Sequence, residues 1–69
     1  DHLHLYLSIL GACYKWLDVN IGRWAFEQSV QLDKTCAAAY ICMENIYAAA
    51  GMETEANRIK LSRVENQAW

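Results

Sequence analysis

The sequence predicts an all-α fold: two helix-turn-helix hairpins in tandem, a fragment of a right-handed α-solenoid, the first over residues 1–35 and the second over residues 36–69. Three observations predict it. Apolar residues recur at helical rather than alternating spacing. Gly51 stands between two such runs, where a residue that enters the left-handed region at low cost ends a helix and turns the chain back. Like residues or like roles also return 34 positions apart, pairing Tyr6 with Tyr40, Leu17 with Gly51, Gly22 with Ala56 and Val30 with Val64. A period in this range is the signature of a stacked helical array.

The first helix is expected over about residues 3–16. Leu3, Tyr6, Leu7, Leu10, Cys13, Tyr14 and Leu17 trace one stripe, and Leu5, Ile9, Ala12 and Trp16 trace a second. Two stripes imply cover on two sides, by the helix's own hairpin partner and by another element. Asp18 to Asn20 forms the turn, with Asp18 or Asn20 as the cap of the next helix. That second helix, over about residues 20–32, is expected to bury Ile21, Ala25, Gln28 and Leu32, with Phe26 and Val30 beside them. Gly22 inside it costs about 1 kcal/mol relative to Ala and so marks a close helix crossing. Asp33, Lys34 and Thr35 form a polar link. The third helix, over about residues 36–50, carries Tyr40, Met43, Ile46 and Tyr47, and its small residues Ala48, Ala49 and Ala50 suit the close approach of a partner. The fourth, over about residues 53–66 and capped by Thr54, is far more polar and reads as the outer layer.

At 69 residues the chain makes at most one small domain and buries a small fraction of its surface. It is therefore expected to be a piece of a longer chain. Its net charge of −2 gives no electrostatic footprint for nucleic acid. The odd set Cys13, Cys36 and Cys42, without a CxxC pair, reads as free, buried structural thiols in a reducing compartment. No apolar run reaches the length of a membrane span, and no membrane partner is expected.

The residues from Tyr40 read Y-I-C-M-E-N-I-Y-A-A-A-G, which is very similar to the Y-V-L-L-S-N-I-Y-A-A-A-G of the E motifs that follow the RNA-reading repeats of plant organellar pentatricopeptide-repeat proteins of the editing-factor class. In the first half Tyr6 stands where that class has Trp, Ile9 and Leu10 match its Leu pair, Ala12 and Cys13 its Ala-Cys, and Val19, Ile21, Gly22, Arg23 and Ala25 its V-x-L-G-x-x-A. Leu32 and Asp33 match its Leu-Asp. The resemblance runs ungapped from Asp1 to about Ile59. It departs at Leu17 for a turn glycine, Lys34 for proline, Glu44 for serine, and Met52-Glu53 for Arg-Trp. Glu44 falls at a crowded position and is expected to reach Arg58 or another base.

The resemblance implies a role in organellar C-to-U RNA editing, in a mitochondrion or chloroplast. Repeats upstream read single-stranded RNA base by base, and a zinc deaminase, in cis or recruited, converts the cytidine. The E region would couple the two. Its expected partners are the preceding repeats, a following or recruited deaminase domain and other editing factors, with RNA contacted only indirectly. At the family's base-reading positions stand Leu7 and Ile41, which cannot hydrogen-bond a base edge, so no base readers are expected. The deaminase signature of His-x-Glu with a distant Cys-x-x-Cys is absent from this chain, and no catalytic residue, metal or cofactor is expected in it. The alternative is a tetratricopeptide-like module that binds a peptide in its concave groove and is unrelated to RNA.

The candidate docking or stacking residues are Leu7, Trp16, Trp24, Ile41 and Trp69. Tyr6, Trp16, Trp24 and Tyr40 could stack on RNA bases, although their spacing equally suits a repeat core and an interface to a preceding repeat, the preferred reading. Trp16 and Trp24 fall off the main stripes and are the expected exposed aromatics. Trp69 is either a loose tail or the first anchor of a next domain. Arg58, Lys60 and Arg63 form a basic surface that could meet phosphate but, interleaved with Glu55 and Glu65, reads as a solvated face. His2 and His4 lack a ligand set and are expected to face solvent.

Overall fold

The computed structural model describes residues 1–69 as four helices, α1 (His2–Trp16), α2 (Val19–Leu32), α3 (Ala37–Ala49) and α4 (Glu53–Glu65), with no strand. Side-chain caps start the first two. Asp1 Oδ1 accepts the amide of His4 at 2.7 Å and Asp18 Oδ1 that of Ile21 at 3.0 Å. Asp18, not Asn20, is therefore the cap of α2. The other two helices begin at Cys36 and Met52 without a side-chain cap bond, and Thr54, expected as a cap, lies inside α4.

Three helix ends share one construction. At Leu17 (φ 55), Gly51 (φ 77) and Gln67 (φ 54) the chain enters the left-handed region. The amide of the following residue then bonds a carbonyl five residues back: Asp18 to Cys13 at 2.9 Å, Met52 to Tyr47 at 2.8 Å and Ala68 to Arg63 at 3.0 Å. Only one of the three is a glycine. The link after α2 differs, since Asp33 is extended and its Oδ1 accepts from both the amide and the hydroxyl of Thr35. Those bonds hold the Asp33 carboxyl below its usual pKa.

Helix α1 packs on α2 and α3, α2 also packs on α3, and α4 touches only α3. The third helix is thus the centre of the molecule, with Ala39, Tyr40, Met43, Ile46 and Tyr47 all buried. Phe26 of α2 meets the Tyr40 ring edge-on at 5.3 Å. The Tyr40 hydroxyl donates to Lys34 O at 2.8 Å and accepts from Asn66 Nδ2 at 3.1 Å, tying the start of the second hairpin to its end. Gly22 sits where the three helices converge. A Cβ there would lie 3.1 Å from Ile46 Cδ1 and 3.3 Å from Cys13 Cβ, so the close crossing is real.

Several expected burials are overturned. The inner stripe of α2 is Gly22, Ala25, Phe26 and Ser29, while Ile21 and Leu32 are 51% and 54% exposed. Small residues permit the crossing, so the helix turns its larger aliphatics outward. Ser29 loses nothing by burial, because its hydroxyl donates to Ala25 O at 2.8 Å. On α1, Leu10 and Cys13 are buried, Leu3, Tyr6 and Leu7 half-buried, and Tyr14 and Leu17 exposed. Ala48 and Ala49 are also exposed, with no helix crossing over them. The polar α4 buries only Ala56, as an outer layer should.

Candidate functional site

An uncovered apolar surface lies along α1 and the start of α2. Ile9, Ala12, Cys13 and Trp16 from α1, with Asp18 and Ile21, line an open cleft of about 300 Å³. Positions 5, 9, 12 and 16 recur at three- and four-residue steps, so they share one side of the helix. Leu5, Ala12 and Trp16 are exposed and Ile9 half-buried. Trp16 projects furthest, 76% exposed, with the Lys15 ammonium 5.5 Å from its ring centroid. This is the second α1 stripe read from the sequence, and no element of the chain covers it.

The proposed docking residues do not gather at one place. Leu7 stands nine positions from Trp16, about 180° around the helix at 100° per residue, and packs half-buried against the core. Ile41 is 41% exposed on α3. Trp24, 48% exposed, receives an edge-to-face contact from Tyr6 at 5.4 Å. Trp69 is 75% exposed, but the chain before it is not loose: Ala68 is fully buried and its carbonyl accepts from Arg63 Nε at 2.8 Å. Ile9 and Ile21 join the α1 surface although periodicity marked Ile21 as core. Lining up the two hairpins by their 34-residue offset would have revealed the face, as the relation of α1 to α3 shows below.

The three basic residues are each engaged separately. Arg58 pairs with Glu55 at 3.5 Å, Lys60 with Glu44 at 3.6 Å, and Arg63 Nε donates to the Ala68 carbonyl. Glu44 thus takes Lys60 rather than Arg58 as its base, and its side chain keeps 23% of its surface exposed. A smaller cleft of about 140 Å³ lies between α2 and α4, floored by Phe26 and Tyr47 and rimmed by Arg23 and the Glu55–Arg58 pair.

His2 and His4 are exposed, and no group of three His, Cys, Asp or Glu side chains comes together to hold a metal ion. Cys13, Cys36 and Cys42 are free thiols, but only Cys13 is buried as expected; Cys36, at the start of α3, and Cys42 are half-buried at the edge of the core. Burial raises the pKa of Cys13, reinforced by Asp18, and that of Cys42, reinforced by Cys36. Both are therefore poorer nucleophiles than an open thiol at neutral pH. No helix is long and apolar enough to cross a membrane.

The fold and its surfaces define a class: a tandem helical-hairpin repeat whose distinctive feature is an uncovered face rather than a reactive centre. A family model described as the E motif matches residues 16–66, and the chain belongs to that family. Similar curated proteins are pentatricopeptide repeat-containing proteins of Arabidopsis thaliana. One, named mitochondrial, is 32% identical over 62 residues, which cover 90% of this chain and 9% of the relative. A second, named putative, is 36% identical over 56 residues, or 81% of this chain and 8% of its own length. A third, also named mitochondrial, is 34% identical over 53 residues, or 77% and 9%. The chain therefore spans less than a tenth of the length of these relatives. No solved structure matches it.

Proposed function

We propose that this chain is the bridging scaffold of an organellar RNA-editing pentatricopeptide-repeat protein, coupling RNA-reading repeats to a deaminase or its cofactors through protein contacts. The observation that carries the proposal is the uncovered side of α1. Counted at the 34-residue offset, Leu5, Ile9, Ala12 and Trp16 correspond to Ala39, Met43 and Ile46 of α3 and to Ala50 at its C-terminal cap. The first three of these are fully buried and Ala50 half-buried, and α3 is the helix on which both helices of the first hairpin pack. The α1 face therefore has the composition of a surface that receives a preceding hairpin. An upstream repeat is its occupant in this reading, and the apolar Leu7 and Ile41 fit coupling better than base reading. The mitochondrial names of two relatives support an organellar setting.

The test uses the full-length protein with Ile9→Asp, scored for cytidine-to-uridine conversion at its target and, separately, for RNA affinity. Burying an unpaired carboxylate in this contact is costly. Conversion should fall at least ~10-fold with RNA affinity unchanged. Unchanged conversion would remove α1 from the coupling route. Binding of a peptide in the concave groove, with conversion unaffected, would move the chain to the class of peptide-binding tetratricopeptide modules.

A further inference from the structure

The two hairpins differ most at the surface each offers to whatever follows it. In the first hairpin Leu10 and Phe26 form this surface. Leu10 is fully buried and Phe26 is 9% exposed, and Phe26 carries the Tyr40 ring of the next hairpin on its edge. At the 34-residue offset their counterparts in the second hairpin are Glu44 and Lys60. The two side chains meet across α3 and α4 at 3.6 Å, as a pair of ions. The socket that accepts a helix in one hairpin is thus replaced by an ion pair in the other.

We infer that the Glu44–Lys60 pair is a stacking terminator, a device that prevents another hairpin of the same build, including a second copy of this chain, from packing on the α3–α4 face. The physical reason is asymmetric. As it stands, Lys60 is 60% exposed and Glu44 keeps 23% of its side-chain surface in water, so both ions retain part of their hydration and the pair contributes little either way. Covered by an apolar helix, both ions lose hydration, and their attraction repays that loss only when further hydrogen bonds are supplied. An incoming α1 face, built from Leu5, Ile9, Ala12 and Trp16, supplies none from its side chains. The device also answers a hazard of the fold. A chain with an apolar face at one end and a matching apolar socket at the other makes a head-to-tail contact that does not close and so grows into open polymers. A polar outer face is how helical arrays avoid this. The inference does not depend on the editing role, since it concerns only what the α3–α4 face rejects.

The experiment is sedimentation of the 69-residue chain over a concentration series, with helix content checked by circular dichroism. The double variant Glu44→Leu, Lys60→Phe restores the socket and should self-associate at least ~10-fold more tightly than the unaltered chain. Adding Ile9→Asp should return it to the unaltered behaviour, since the contact is head-to-tail. If the double variant fails to fold, Glu44→Leu alone must show the same direction of change. The inference is overturned if the restored socket leaves association unchanged. It is equally overturned if the increased association persists with Ile9→Asp, because the new contact is then not a stacking contact.

Discussion

The helices α1 and α3 occupy the same place in their hairpins yet live in opposite surroundings. Ala39, Met43 and Ile46 are fully buried because the first hairpin lies against them; of their counterparts, Leu5 and Ala12 are exposed and Ile9 is only half-buried, because no hairpin lies against α1 on that side. Residue type does not explain this, since Leu and Ile are more apolar than Ala. Burial in a repeat is conferred by the neighbour. The second hairpin is consequently the better anchored, although its outer helix α4 is the more polar of the four.

The largest test of that contrast is a matched truncation. Met43→Ala empties a fully enclosed position and should cost about 2–5 kcal/mol. Ile9→Ala, at the equivalent place on α1, should cost about 1 kcal/mol or less, because half-burial leaves little transfer energy to lose. Urea unfolding midpoints of both variants decide it. Equal losses would mean that α1 is held by something other than a neighbouring hairpin.

A second test separates the two equivalent tyrosines. Tyr40→Phe leaves the Lys34 carbonyl and the Asn66 amide without their shared partner and should cost about 1–2 kcal/mol. Tyr6→Phe should be neutral within about 0.5 kcal/mol, since Tyr6 contributes a ring contact to Trp24 and no hydrogen bond within the chain. Thermal melts of the pair measure the difference. A loss at Tyr6 as large as at Tyr40 would assign the first hairpin a polar tie that the structure does not contain.

The sequence made some of this legible and hid the rest for identifiable reasons. Helical period, Gly51 and the 34-residue return sufficed for four helices in two hairpins, and Gly22 announced its crossing. The phase of α2 came through only in part: Ala25 and Phe26 are core as their spacing predicts, but patterns of large apolar residues also point to Ile21 and Leu32, whereas a tight crossing selects Gly22 and Ser29 for being small. The double stripe on α1 was visible, but only its comparison with α3 tells which stripe lacks a neighbour. Glu44 was recognisable as out of place; that its base is Lys60 depends on how α4 lies across α3, which no local pattern encodes.

The smallest effects lie at the turns, where the two hairpins use one geometry with different residues. Leu17 and Gly51 end α1 and α3 with φ of 55° and 77° and the same five-residue return bond. A side chain in this region crowds its own carbonyl at a cost of about 1–2 kcal/mol, which glycine avoids. Gly51→Ala, with open space around the new Cβ, should therefore destabilise through backbone strain alone, by about 1 kcal/mol. Leu17→Gly works in the other direction. It relieves the same strain but increases the freedom of the unfolded chain and gives up the apolar contacts of a side chain that is 44% exposed. The net gain should be about 0.5 kcal/mol, read as a small rise in the urea midpoint at unchanged slope. A loss at Leu17→Gly would show that the leucine is held by packing rather than tolerated by the turn, and that the first hairpin has found its own substitute for the glycine of the second.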